Sequence, residues 1–180
     1  EKGIGLSGAY IGAANSGEPP RPLDLDGCKV SARLLLRNCR FDAVISFQDA
    51  EGSSMIFDGS TFPGLKGDRL KLAGSLLLRG TRSKGEARLL GASIGGILSC
   101  DRARFSNAEG NALSCDRAVI GGNVHLRDRF HSTGAVRLLG AKIGGSLSCV
   151  GGRFESEQGT ALHCDGAEIV GSVFLRDSFH

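Results

Sequence analysis

The chain of 180 residues carries 22 Lys and Arg against 19 Asp and Glu, a formal charge of +3 dispersed along its length with no basic run. That balance argues against nucleic-acid binding, and no apolar stretch approaches the roughly 18 residues that would suggest a membrane-spanning helix. The chain opens on Glu1 with no initiator Met or basic-then-apolar leader, and stops at His180 directly after Phe179. The expectation is a single domain over residues 1–180, a fragment of a longer protein.

Taken in chain order, short apolar elements recur. Ala9-Tyr10-Ile11-Gly12 reads as a first unit; Val30 leads to Leu36-Arg37 and Phe41; an irregular unit places Met55, Phe57 and Phe62, with Phe47 as its leading residue; Leu72 leads to Leu78-Arg79. From there the register is regular. Ile94, Ile120, Ile143 and Ile169 each follow an Ala two residues back and precede Gly-Gly or Val-Gly, each is followed six residues on by Cys100, Leu126, Cys149 or Leu175, and aromatics close the units at Phe105, Phe130, Phe154 and Phe179. Alternate units differ, so RLLGASIGGILSCDRARF at residues 88–105 returns 49 residues later as RLLGAKIGGSLSCVGGRF at residues 137–154.

Such self-similarity marks a solenoid, in which stacked copies bury a core that no copy buries alone. Helical units need apolar residues at threes and fours over about ten positions, whereas Gly interrupts this chain every few residues. Pairs such as Val124-x-Leu126 alternate as strands do. Small-x-large triplets, among them Cys28-Lys29-Val30, Cys39-Arg40-Phe41, Ala92-Ser93-Ile94, Ala103-Arg104-Phe105 and Ala141-Lys142-Ile143, point both outer members inward and the middle residue outward. The predicted fold is all-β, a right-handed parallel β-helix of about eight coils of 20–26 residues. Extra residues at 81–86, 106–111, 131–134 and 155–160 predict loops along one edge.

The triplets resemble the pentapeptide-repeat family, which implies a right-handed quadrilateral β-helix with a central Leu or Phe and a small residue two positions earlier. Units of 23 to 26 residues exceed the twenty of four uninterrupted five-residue faces, so a four-sided coil and a broader three-sided one both stay open. Ala167-Glu168-Ile169-Val170-Gly171 resembles pieces of the polymerising bactofilins. The RLLGAxIGGxLxC pattern is similar to that of bacterial repeat proteins labelled membrane-associated oxidoreductase, which implies an accessory role beside redox chemistry carried elsewhere.

Six Cys invite a disulfide or metal reading. Cys100 and Cys149 stand two coils apart with Leu126 between, as do Cys115 and Cys164 around Leu138; at about 4.8 Å per coil they are about 10 Å apart, beyond the ~7 Å Cα limit of a disulfide. No Cys-x-x-Cys occurs. Reduced, core-packed thiols and a cytoplasmic location are expected.

Arg37, Arg79, Arg127 and Arg176, with Asp128 and Asp177, form a candidate partner-binding face, set against the reading that Arg and Asp pair as surface ion pairs worth at most about 1 kcal/mol each. Asp26, Asp68, Asp116 and Asp165 stand four residues before each leading position; corner carboxylates there are expected to accept from their own turn's amides. His125, His131, His163 and His180 share no metal-ligand spacing or nucleophile motif. Ile-Gly-Gly resembles the hexapeptide acyltransferases, but the six-residue stride fails at Ser106; the paired Gly read as tight corners where backbones crowd or φ is positive. One Tyr and no Trp leave no platform for polysaccharide cleavage, and Thr61, Thr81, Thr133 and Thr160 make no ice-binding row.

The functional expectation is a non-enzymatic scaffold with no cofactor and no metal, binding a protein partner or its own kind through terminal coils or an outer face, with no nucleic acid and no membrane span. The gyrase-directed members of the pentapeptide family mimic DNA through acidic surfaces; the positive charge of this chain disfavours that reading.

Overall fold

The computed structural model describes residues 3–12, 19–177, 179 and 180, so Glu1 lies outside them; every described strand pairing is parallel and no helix occurs among these residues. Each regular coil has four short strands. Lys29–Val30 starts one side, Arg33–Arg37 the next, Arg40–Phe41 the third and Ile45–Ser46 the fourth, before Glu51–Gly52 stacks on Lys29–Val30. The coil is thus four-sided, which decides the alternative that the spacing left open.

The reason lies in the spacing of inward residues. Val30, Leu34, Phe41, Ile45 and Gly52 are separated by alternating steps of four and seven, and the steps recur in Leu72, Leu76, Ser83, Ala87 and Ile94. These seven-residue steps contain a turn, most closed by an i to i+3 hydrogen bond such as Ala50 N to Phe47 O and Ser60 N to Phe57 O; in the Leu34–Phe41 step the Ser60 hydroxyl bridges instead, accepting from Cys39 N and donating to Leu36 O. The third residue of the turn has positive φ, the type II pattern. One corner reads Gly27, Asp49, Arg69, Gly91, Arg117, Gly140 and Gly166, and the opposite one includes Asn38, Gly59, Gly80, Arg102 and Gly151.

We name the sides by their inward residues. The isoleucine face stacks Val30, Gly52, Leu72, Ile94, Ile120, Ile143 and Ile169. The leucine face stacks Leu34, Met55, Leu76, Leu98, Val124, Leu147 and Val173, with Ile4 beneath. The aromatic face includes Phe62, Ser83, Phe105, Ser132 and Phe154, and the fourth face Ile45, Leu65, Ala87, Leu113, Val136 and Leu162. Arg104–Ser114 and His131–Arg137 run unbroken around the edge between these last two, which joins them into one sheet. Seven rungs of the isoleucine face bound six complete coils of 20 to 26 residues, with part coils at both ends, against the eight expected.

Several sequence expectations shift. Gly52, not Phe47, leads the irregular coil; Phe47 lies on the turn before it, and Leu72 and Met55 fill the room that Gly52 leaves. Tyr10–Ile11 pairs with Arg40–Phe41, so the first Ala-x-Ile-Gly belongs to the aromatic face. Phe130 stands one alternation early, where neighbouring coils have Ala103 and Gly152, and Ser132 takes the large-residue site. Both Asp128 and Arg129 have positive φ in that coil, the extra residue that causes the offset. The Phe130 ring still reaches its neighbours, 5.8 Å from Phe105 and 5.3 Å from Phe154. Cys28 is exposed beside Lys29–Val30, the outermost rung of its face among the described residues.

Loops do gather on one edge, between the aromatic and fourth faces, but only residues 106–112 and 155–161 exceed the regular step there; 81–86 and 131–134 keep it. These two lie one 49-residue repeat apart. The paired Gly are close-approach corners: a Cβ on Gly121 would lie 2.4 Å from the Gly95 carbonyl oxygen, while φ there is not positive. Beside them Ser54, Ser75, Asn123 and Ser146 each accept from the backbone amide of the coil above, at 2.8–3.1 Å.

Candidate functional site

The predicted arginines do share one column, at the edge where the leucine face turns toward the aromatic face. Backbone hydrogen bonds order it as Arg37, Asp58, Arg79, Asp101, Arg127, Val150 and Arg176. Between the arginines stand carboxylates that spacing alone had not matched to them. Arg79 grips Asp58 with both Nε and Nη2, and Arg127 Nε lies 3.1 Å from Asp101 Oδ1 and 3.8 Å from Asp128.

Only the upper part of the column converges. Arg127, Asp128 and Arg176 line a surface groove of about 320 Å³ with His125 and Phe174. Arg176 is 3.8 Å from Asp177 and stacks over the Phe174 ring at 5.2 Å. Its neighbour one coil below is Val150, so no carboxylate stands there. Burial, then the Arg127 charge, holds the His125 imidazole below its ordinary value, with Asp101 and Asp128 pulling the other way.

The Asp row works differently from expectation. Asp26 accepts from Ser46 Oγ at 2.6 Å and from the Gln48 amide at 2.7 Å. Asp68 accepts from Arg88 Nε at 3.1 Å and the Leu90 amide at 3.2 Å, and Asp116 from Arg137 Nη2 at 2.7 Å and the Leu139 amide at 3.2 Å. All these donors lie one coil above. Asp26, Asp68 and Asp116 are clamps between coils, not caps of their own turns, while Asp165 is exposed on the upper part coil.

All six Cys are free. Burial pushes the Cys100 thiol well above its ordinary value, and Cys115 and Cys149 up to about 12. Among the described residues no three His, Cys, Asp or Glu side chains come together as a metal centre requires.

The outward residues of the aromatic face make a second row that the sequence reading passed over: Arg40, Thr61, Arg82, Arg104, His131 and Arg153. The signal was present, since Arg40 and Arg104 are the middle residues of small-x-large triplets and must point outward. At its ends the row is neutralised, Arg40 by Asp42 at 3.4 Å, and His131, at 3.1 Å, together with Arg153 by Glu155. Comparisons with known protein families, with curated proteins and with solved structures find no match.

Proposed function

We propose that the chain is a non-enzymatic scaffold, a pentapeptide-repeat-like rod that joins copies of itself end to end. The observation that supports this reading is the exposure of core-type residues on the terminal coils. Ile4 is 59% exposed although it is in register with Leu34, which is 6% exposed; Val173 is 49% exposed above Leu147 at 1%. Leu6 and Leu175 repeat the pattern.

A second copy laid head to tail continues both requirements at once. Its Ile4 rung extends the leucine column over Val173, and Gly3–Ser7 and Val173–Phe174, the outermost strands of that face among the described residues, gain backbone partners on their outer sides. Such a contact is heterologous and does not close, so it builds a linear assembly. The four-faced coil supports the family resemblance, and free thiols support a cytoplasmic location. The gyrase-directed alternative gains nothing here, since the charged columns described above alternate in sign or are basic.

Light scattering across a concentration series tests the reading. Mass rising above 18.8 kDa with concentration, and its return to one chain in Leu6→Lys and Val173→Lys variants, is the expected result. A wild-type mass that stays at one chain at high concentration overturns it.

A further inference from the structure

Charged columns on this rod follow a rule. On the isoleucine face Glu51 stands between Lys29 at 3.1 Å and Lys71 at 3.2 Å, and Lys142 pairs with Glu168 at 3.2 Å. Asp49 takes Arg69, Asp58 takes Arg79, Asp68 takes Arg88 and Asp116 takes Arg137. Opposite charges thus meet on adjacent rungs, as cross-strand pairing favours.

Two places break the rule: on the fourth face Lys66 lies opposite Arg88, whose charge Asp68 takes up, and in the middle of the aromatic face the pairing has no such relief. Arg82 lies directly opposite Arg104 on adjacent strands, which at about 4.8 Å between rungs is an unfavourable like-charge pair. Lys84 follows two residues on, and Arg102 and Arg129 stand on the adjoining edge. All five are exposed, and among the described residues none has a carboxylate within ion-pair distance.

From this we infer that the outer surface of the aromatic face docks an acidic, extended segment of a partner protein, rich in Asp and Glu and lying along the rod. The inference deepens the scaffold reading, on which it rests, by naming the chemistry of a lateral partner. Two grooves flank the Arg82–Arg104 pair: one of about 500 Å³ with Arg40 and Lys84 on its wall, and one of about 270 Å³ lined by Arg104, Arg129, His131 and Arg153. From Arg40 to Arg153 the row covers five rung steps, about 24 Å, the reach of about seven extended residues. Because Asp42 and Glu155 neutralise both ends, free positive charge is confined to the middle.

Carboxylates suit the forked guanidinium groups. Single-stranded nucleic acid needs aromatic side chains for base stacking, and among the described residues the exposed large apolar side chains include one such ring, Tyr10, which hydrogen-bonds Asp42 at the lower end of the row.

Fluorescence anisotropy with a labelled octapeptide of Glu tests the inference, at dilutions where light scattering finds one chain, so that its failure is separable from failure of end-to-end assembly. Binding at low salt is expected, weakened at least tenfold by Arg82→Gln with Arg104→Gln. Lys29→Gln with Lys142→Gln removes the same charge from the isoleucine face and is expected to change affinity less than twofold. Relief of like-charge repulsion is expected to keep the thermal midpoint of the double Arg variant at or above that of the parent, which also shows that it folds. No binding at low salt, equal losses in both double variants, a lowered midpoint in the Arg variant, or tighter binding of an oligothymidylate of equal charge each overturns the inference.

Discussion

Asp68, buried in one coil, accepts the Nε hydrogen of Arg88 in the next at 3.1 Å, and the Leu90 amide shares the same carboxylate oxygen. The pair turns a stacking contact into a directional one. Replacing Asp68 by Ala leaves a backbone amide without its partner and a guanidinium without its counter-charge. Arg88 is partly exposed and water takes up part of that loss. The expected destabilisation is about 1–2 kcal/mol, read by chemical denaturation, with Asp68→Asn costing less because its amide oxygen still accepts from Leu90. Equal losses in the two variants would show that geometry at this site counts for nothing.

The stacking itself was legible because a solenoid demands it: Ile94, Ile120, Ile143 and Ile169 occupy one column, so their spacing in the chain is the coil. What stayed hidden involves trades of volume or of sign between rungs. Gly52 carries no apolar signal, yet it leads its coil because Leu72 and Met55 occupy its space. Phe130 kept the expected composition while the extra turn residue moved its register. The Arg column was placed correctly, but its neutralising partners Asp58 and Asp101 belong to alternate units, whose sequences differ from those that carry the arginines.

Ser132 is the cost of that shifted register. Its side chain is fully buried in the large-residue site of the aromatic column, and its hydroxyl is the one buried side-chain polar group without a hydrogen-bond partner among the described residues. An unpaired buried hydroxyl costs about 1–3 kcal/mol. Ser132→Ala is therefore expected to raise stability by about 1 kcal/mol, measured as a shift of the denaturation midpoint. Ser83, at the same site two coils below, donates to the Gly85 carbonyl at 2.6 Å. Ser83→Ala is expected to lower stability. Finding the same sign for both serines would remove the distinction.

The thiols should sort by depth. Cys28 is exposed and Cys164 half-buried, whereas Cys39, Cys100, Cys115 and Cys149 are buried. With Cys115 and Cys149 pushed up to about 12 by burial, little thiolate forms near neutral pH. An aromatic disulfide reagent is expected to modify Cys28 rapidly and Cys164 slowly, with the other four reacting only when denaturant opens the rod. Rapid modification of three or more thiols in the native protein would contradict the closed core.

Acid should weaken the rod in two stages. Burial first, then Arg127, lowers the His125 value. On acidification the unfolded chain therefore takes up this proton before the folded one, and the stability present above about pH 6.5 declines as pH falls toward the lower folded value. The second stage belongs to Asp49 beneath Arg69, Glu51 between Lys29 and Lys71, and Glu155 beside His131 and Arg153, all held below the ordinary carboxylate range. Their stabilisation is present above the unfolded values of about 4 and is lost as pH falls through the lower folded ones. Thermal midpoints followed from about pH 8 to about pH 3 are expected to show a shallow decline below about 6.5 and a steeper one below about 4. His125→Gln should abolish the first and keep the second. A shallow decline that survives this substitution assigns the first stage to a different histidine.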